Sequence, residues 1–392
     1  MFVFIRTILF ALAGLALAIL AGVSGLKGDV SVSAEPVATT TGVSVPHGAT
    51  STPTVATTTA KIVPTKTATS TVTKPIAKAP PVPKPTVTPT KEPIAPTTTP
   101  GTELVSNIPP SSIALNERVR ASIVNIICVT KASGPLNSIS ASGVMIDPRG
   151  VIITNSHVGQ YFLLKDYPSP DFVQCVIRTG SPAQPKYTAE LLFLPPSWIA
   201  DNAQKINQSK PTGNGEHDYA FLRITGTVSS SVTLPAAFPF LPIAINPPSE
   251  GQTMLAAGYP AGFLGGITVQ RELYAASAIT HVGDVFTFNT DTLDLFSLGG
   301  SIVAQQGASG GAVTNEDGVL MGIVVTATDA PDTASRDLRA IATSYIIRDF
   351  QKEAGTPIDT YLQGDIETEA HTFALTTAPT LTQRLVNVIE GH

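Results

Sequence analysis

Residues 305–313 read QQGASGGAV, which places Gly307, Ser309, Gly310 and Gly311 within five positions. Glycine loses more backbone entropy on folding than any other residue, so such a cluster marks a sharp bend or a close approach. Either Ser309 fills a turn, or it is a nucleophile whose loop needs an unusual backbone. A serine hydroxyl reacts poorly near neutral pH. It needs a general base within hydrogen-bond reach, and that base needs a group to orient it. Histidine is the usual base because its pKa lies near working pH. Of the six histidines, His47 lies in a Pro/Thr-rich stretch and His392 is the last residue, which leaves His157, His217, His281 and His371.

Working outward from the serine, short apolar runs alternate with turn residues. ASGVMID and VIITNSH are joined by PRG, a hairpin signal, and NEDG separates two further runs just after the serine. FVQCVIRT, YTAELLFL, YAFLRIT, TMLAAGY, ITVQRELYAAS, DVFTF, GSIVAQQ and LRAIAT read as further strands. SSIALNERVRASIVNIICVT reads as a short helix running into a β-branched strand, and SYIIRDFQKEAG as a helix stopped by Gly355. Many short strands with few helices predict an antiparallel all-β domain. His157 falls at the end of a strand after the first hairpin. His217 and Asp218 fall at the entrance to the strand YAFLRIT.

The order His157, Asp218, Ser309 resembles the trypsin-like, chymotrypsin-fold serine peptidases. TNSH matches that family's T-x-x-H, HDYAFLRI its acid-bearing strand, and GASGGAV its G-x-S-G-G. Within the family the pattern is most similar to the bacterial HtrA/Deg-type peptidases, although the chain leaves no room for the PDZ domain they usually carry. The resemblance implies a double six-stranded antiparallel β-barrel with a C-terminal helix. It makes Ser309 the nucleophile, His157 the base and then acid, and Asp218 the group that fixes the imidazole. The oxyanion hole would be the backbone N–H groups of Gly307 and Ser309. Val303 and Ala304, faced by Val325, Thr326 and Ala327, would line the primary specificity pocket. They carry no acid, so the expectation is cleavage after small or medium apolar residues. Ala308 stands where the digestive enzymes have Asp, so activation through that ion pair is not available.

Three rival readings compete with this one. His217 could replace His157 as base, but a residue next to Asp218 on a strand would point to the opposite face. GASGG also fits the nucleophile elbow of α/β-hydrolases, but that fold needs a helix after the serine and the histidine later in the chain. The third rival is a peptidase fold that no longer cuts and serves as a binding module. His281 and His371 read as surface or core histidines.

Composition limits the rest. The 392 residues are 43% hydrophobic and 14% charged, with a net charge of −5. No basic run suggests a nucleic-acid partner. No metal or cofactor motif is present, and none is expected. Cys128 and Cys175 sit on two predicted strands; the preferred reading is a pair of free, buried small hydrophobes, with a bridge as the alternative. After Arg6 an apolar run from Thr7 to Leu26 is long enough to cross a hydrocarbon core. Residues 1–27 are therefore expected to be a membrane anchor, or else a cleaved signal peptide, with the rest exported. Residues 51–100 contain 16 Thr and 11 Pro, and no aromatic occurs between Phe10 and Tyr161. Such a segment cannot bury enough apolar area to offset chain entropy, so 28–110 reads as a disordered linker. Residues 111–355 would be the peptidase domain and 356–392 a tail. The expected partners are polypeptide substrates and, through the N-terminus, a membrane; oligomeric state is not legible.

Overall fold

The computed structural model describes residues 110–392, apart from 135, 209–211, 289–290, 328–329 and 331, and of Pro110, Thr326 and Ala327 the backbone only. The apolar N-terminus and the Pro/Thr-rich segment lie outside the described residues. Among the described residues no helix is long and apolar enough to cross a membrane.

Helix α1 (Pro110–Ser122) runs directly into β1 (Ile123–Thr130), where β-branched residues replace helix formers. The hairpin β2 (Ile139–Asp147) and β3 (Val151–Thr154) turns at PRG, where Gly150 takes φ +90. Then come α2 (Ser156–Leu163), β4 (Val173–Thr179), β5 (Gln184–Phe193), α3 (Pro196–Asn202) and β6 (Ala220–Thr227). The six strands close into an antiparallel barrel in the order β1-β2-β3-β6-β5-β4. β3 is buried on both faces because barrel core lies on one side and covering elements on the other.

The second half consists of β7 (Thr253–Gly258), α4 (Gly266–Arg271), β8 (Ala276–His281), β9 (Val285–Phe286), β10 (Leu295–Gly299), β11 (Ala312–Thr314), β12 (Leu320–Ala327) and β13 (Leu338–Ala342). They form one seven-stranded antiparallel sheet, β8-β7-β11-β12-β13-β10-β9. The expected second six-stranded barrel is corrected accordingly. The sheet curls until the Thr280 hydroxyl on β8 donates to the Leu298 carbonyl on β10, but no ladder closes it among the described residues. Two predicted strands also change. In ITVQRELYAAS the first part is α4, and its Val269 and Gln270 carbonyls accept from the buried Arg178 guanidinium. GSIVAQQ is a run of turns: the Ser301 hydroxyl caps the Val303 amide and its carbonyl accepts from Ala304. A serine that competes for backbone donors favours a turn over a ladder.

Helix α5 (Thr343–Ala354) ends at Gly355, which takes the left-handed conformation expected of a helix stop. It is not the last helix. α6 (Ile358–Gln363), α7 (Ile366–Thr376) and α8 (Ala378–Glu390) follow and pack on the first barrel. Phe193, Phe350, Tyr361 and Phe373 join barrel and helices in one aromatic cluster, with Phe193 and Phe350 ring centres 4.7 Å apart. The preferred reading of the cysteines is overturned: Cys128 and Cys175 face each other across β1 and β4 and form a disulfide. Their pairing depends on strand register, which spacing alone does not reveal.

Candidate active site

Each residue of Thr154-Asn155-Ser156-His157 uses its side chain on the same neighbourhood. The Thr154 hydroxyl donates to the Ser142 carbonyl at 2.8 Å. The Asn155 amide donates to the Asp218 carbonyl at 2.9 Å. The Ser156 hydroxyl reaches the carbonyls of both His217 and Tyr219, at 3.0 and 2.6 Å. His157 then binds both carboxylate oxygens of Asp218, through its backbone N–H to Oδ1 at 2.9 Å and through Nδ1 to Oδ2 at 2.8 Å. His157 opens the first turn of α2, where the backbone N–H groups have no intrahelical acceptor and one of them is free for the carboxylate.

This geometry fixes the imidazole tautomer: Nδ1 carries the hydrogen toward Asp218 and Nε2 faces away, free to accept. Burial pushes the imidazole toward its neutral form, but the charge and hydrogen bond of Asp218 outweigh it. His157 therefore titrates above the ordinary histidine value.

Ser309 reaches this pair through the other half of the fold. The Ser142 N–H donates to the Ser309 carbonyl at 2.8 Å, and the Ser142 carbonyl accepts from Thr154, three residues before His157. Two hydrogen bonds thus tie the serine loop to the strand that delivers the histidine. The Ser142 hydroxyl makes the link firmer by donating to the Gly307 carbonyl at 2.7 Å and accepting from the Tyr259 N–H at 2.9 Å. The glycines now have reasons. Gly307 has φ +91, and a Cβ there would sit 2.6 Å from the Tyr259 carbonyl. Gly310 has φ +81, and its Cβ would run into the Ser142 carbonyl and the Thr154 hydroxyl. Both positions exclude any side chain.

Ser309 is half-buried, and among the described residues its hydroxyl has no hydrogen-bond partner; no bond joins it to His157 Nε2. Such bonds are often open without substrate. Nor do the Gly307 and Ser309 N–H groups donate to any acceptor within the described residues, which leaves two donors flanking the serine.

The other candidates separate. Val303 and Ala304 are 0% exposed, so in this conformation they present no side-chain surface. Val325 is buried close to Gly215, and Thr326 and Ala327 continue β12, their side chains lying outside the described residues. His217 turns away from Asp218, for a reason different from the one expected. Neither residue is on a strand: β6 begins at Ala220, and His217 sits in a turn at φ +58 with Nδ1 on Asp349 Oδ2 at 2.7 Å. His281 and His371 are exposed. His217, Asp349 and Glu353 bring donor atoms within 4.8 Å of one another. However, His217 and Asp349 satisfy each other and Glu353 is bonded to Ser197, so the cluster is a hydrogen-bond network. Sequence reasoning missed Ser142, Asn155 and Ser156. Their only signal was polar side chains at positions flanked by strand residues, where a buried polar group requires a partner.

No curated protein matches the chain. Many solved structures do, among them the serine endoprotease from Yersinia pestis, which is 23% identical and covers 62% of this chain and 67% of its own, with a TM-score of 0.40. Residues 141–323 match the trypsin-like peptidase domain family, a span that holds His157, Asp218 and Ser309. The region around the candidate site is thus similar to the trypsin-like peptidase domains, and the enzyme class this similarity supports is serine endopeptidase.

Proposed function

We propose that the chain cleaves exported or envelope polypeptides through a His157–Asp218–Ser309 triad. The observation that carries this is the double attachment of His157 to the Asp218 carboxylate, which leaves Nε2 as the acceptor on the side away from Asp218. In the first step Ser309 Oγ attacks the scissile carbonyl carbon and its proton passes to His157 Nε2. The carbonyl π electrons move to oxygen, where the Gly307 and Ser309 N–H groups stabilise the charge. The imidazolium then gives its proton to the leaving amine, and the acyl-enzyme forms. Water repeats the sequence, with His157 as base, to release the acid. Asp218 stays ionised throughout and offsets the imidazolium charge.

Val303 and Ala304 are interior in this conformation, so the preference for small or medium apolar side chains rests on sequence alone: neither 303–304 nor 325–327 carries an acid that would select Lys or Arg. The apolar run at residues 7–26 supports export, with the peptidase domain held outside the cytoplasm or released there.

The test is labelling of the full chain by a fluorophosphonate. Stoichiometric labelling that disappears in Ser309→Ala supports the reading. A folded protein that takes no label at any pH instead supports an inert peptidase-fold binding module, a reading favoured by the lack of a hydrogen bond between Ser309 and His157 among the described residues.

A further inference from the structure

Asp218 must be held still to orient His157, yet it lies in a turn rather than a strand, just before β6. The residue beside it, His217, has a left-handed backbone, φ +58, an uncommon conformation for a side-chain-bearing residue that persists only where surroundings impose it. Three attachments impose it. The His217 N–H donates to the Tyr345 hydroxyl at 3.2 Å. Its Nδ1 meets Asp349 Oδ2 at 2.7 Å. Its carbonyl accepts from Ser156, the neighbour of His157. Tyr345 and Asp349 are four residues apart on α5 and so share one helix face. Glu353 continues that face and binds the Ser197 hydroxyl at 2.7 Å and its N–H at 3.3 Å.

We propose that His217, Tyr345 and Asp349 form a positioning network that holds the Asp218 turn in register with His157, so that helix α5 sets the reactivity of the site. The proposal rests on the reading of Asp218 as the orienting group. It adds a second histidine–aspartate pair, back to back with the first, which touches no substrate. Asp349 is 5% exposed, so its carboxylate depends on His217 for compensation. The groups facing the His217 ring are Asp349, Tyr345 and Glu353 from α5 and Glu216 from the turn, while Tyr219 at the entrance to β6 lies beside Asp349. The hydrogen bond that the His217 ring donates to Asp349 raises its pKa most; burial lowers it, and the charges of Asp349, Glu353 and Glu216 raise it further. The pairing therefore favours the imidazolium form of His217. A group with a raised folded pKa stabilises the fold below its unfolded pKa and loses that effect as pH rises through the folded value. The network thus loosens on the alkaline side, opposite to the acid side on which His157 loses function as a base.

The test uses full-length Asp349→Asn, Tyr345→Phe, His217→Ala and His217→Gln, with His281→Gln, an exposed position on β8, as control. The first readout is the downfield ring-proton resonance of the His157–Asp218 bond, which needs no activity. The expected result is a shifted or exchange-broadened resonance in Asp349→Asn and a kcat lower by about tenfold with KM little changed. The alkaline limb of the rate profile should move to lower pH, because the main group raising the His217 pKa is gone. His217→Gln, whose amide still donates, should recover part of the loss in His217→Ala. An unchanged resonance, kcat and alkaline limb in folded Asp349→Asn would overturn the proposal. If that variant does not fold, Tyr345→Phe, which removes one hydroxyl, decides by the same readouts. If the parent takes no fluorophosphonate label, the peptidase reading falls, and the resonance alone decides this proposal.

Discussion

The two halves of the domain hold their site residues by different means. In the closed barrel, His157 and Asp218 are fixed by side chains: Thr154, Asn155 and Ser156 each contribute a directed hydrogen bond. In the curled sheet, Ser309 is fixed by bare backbone. Gly307 and Gly310 sit where no side chain fits, and the loop docks through the N–H and hydroxyl of Ser142. In the proposed roles the base must keep one ring orientation while a proton comes and goes, which calls for several polar contacts. The nucleophile must leave two neighbouring N–H groups uncommitted, which calls for a chain without side chains in the way.

That contrast can be tested by substitution. Ser309→Ala removes the reacting atom, and peptide hydrolysis should fall to background while the melting temperature holds; turnover above background in a pure sample would end the assignment. Asp218→Asn reverses the tautomer of His157, and a loss of about 10⁴ in kcat is expected, read by steady-state kinetics. Gly310→Ala drives a methyl into the Ser142 carbonyl, so the loop must shift. Activity should drop by about 10²–10³, the scale of a lost oxyanion donor, together with a clear fall in melting temperature because the obstructing atoms are backbone. Full activity there would mean that the loop is softer than the barrel side. Ser142→Ala leaves the Gly307 carbonyl and Tyr259 N–H without their shared partner, and chemical denaturation should record a loss of about 1–3 kcal/mol. The mildest effect is in pH. His157 acts as base only when neutral and its pKa is raised, so the acid limb of kcat/KM should have its midpoint above the ordinary value of about 6.5. A midpoint below that value would show that Asp218 does not compensate the burial of the ring.

The same contrast explains what could be read from the chain beforehand. The glycines around Ser309 were conspicuous because each denies a side chain to its position, and composition records that directly. The PRG hairpin, the run from α1 into β1 and the Gly355 stop were legible because local propensity and tertiary structure agree there. GSIVAQQ was misread because its Val and Ile suggest a strand, whereas Ser301 takes the backbone donors and Val303 and Ala304 go fully into the interior. The disulfide was missed because it follows from pairing between β1 and β4, residues 47 apart in sequence. The network around His217 was hidden for a similar reason. Its partners Tyr345 and Asp349 lie more than a hundred residues downstream, on a stretch that the sequence showed only as a helix stopped by Gly355.

The aromatic cluster at the barrel wall has a practical consequence. Tyr361 and Phe373 seal Phe193 and Phe350 from solvent, and the Tyr361 hydroxyl is satisfied by the Leu192 carbonyl at 3.0 Å. A fragment that stopped at Gly355 would uncover oily rings and strand a carbonyl on the very wall that supports the histidine. Expression work that trims this end for convenience should therefore yield sticky, poorly behaved protein, and the smallest workable unit has to run at least through α7.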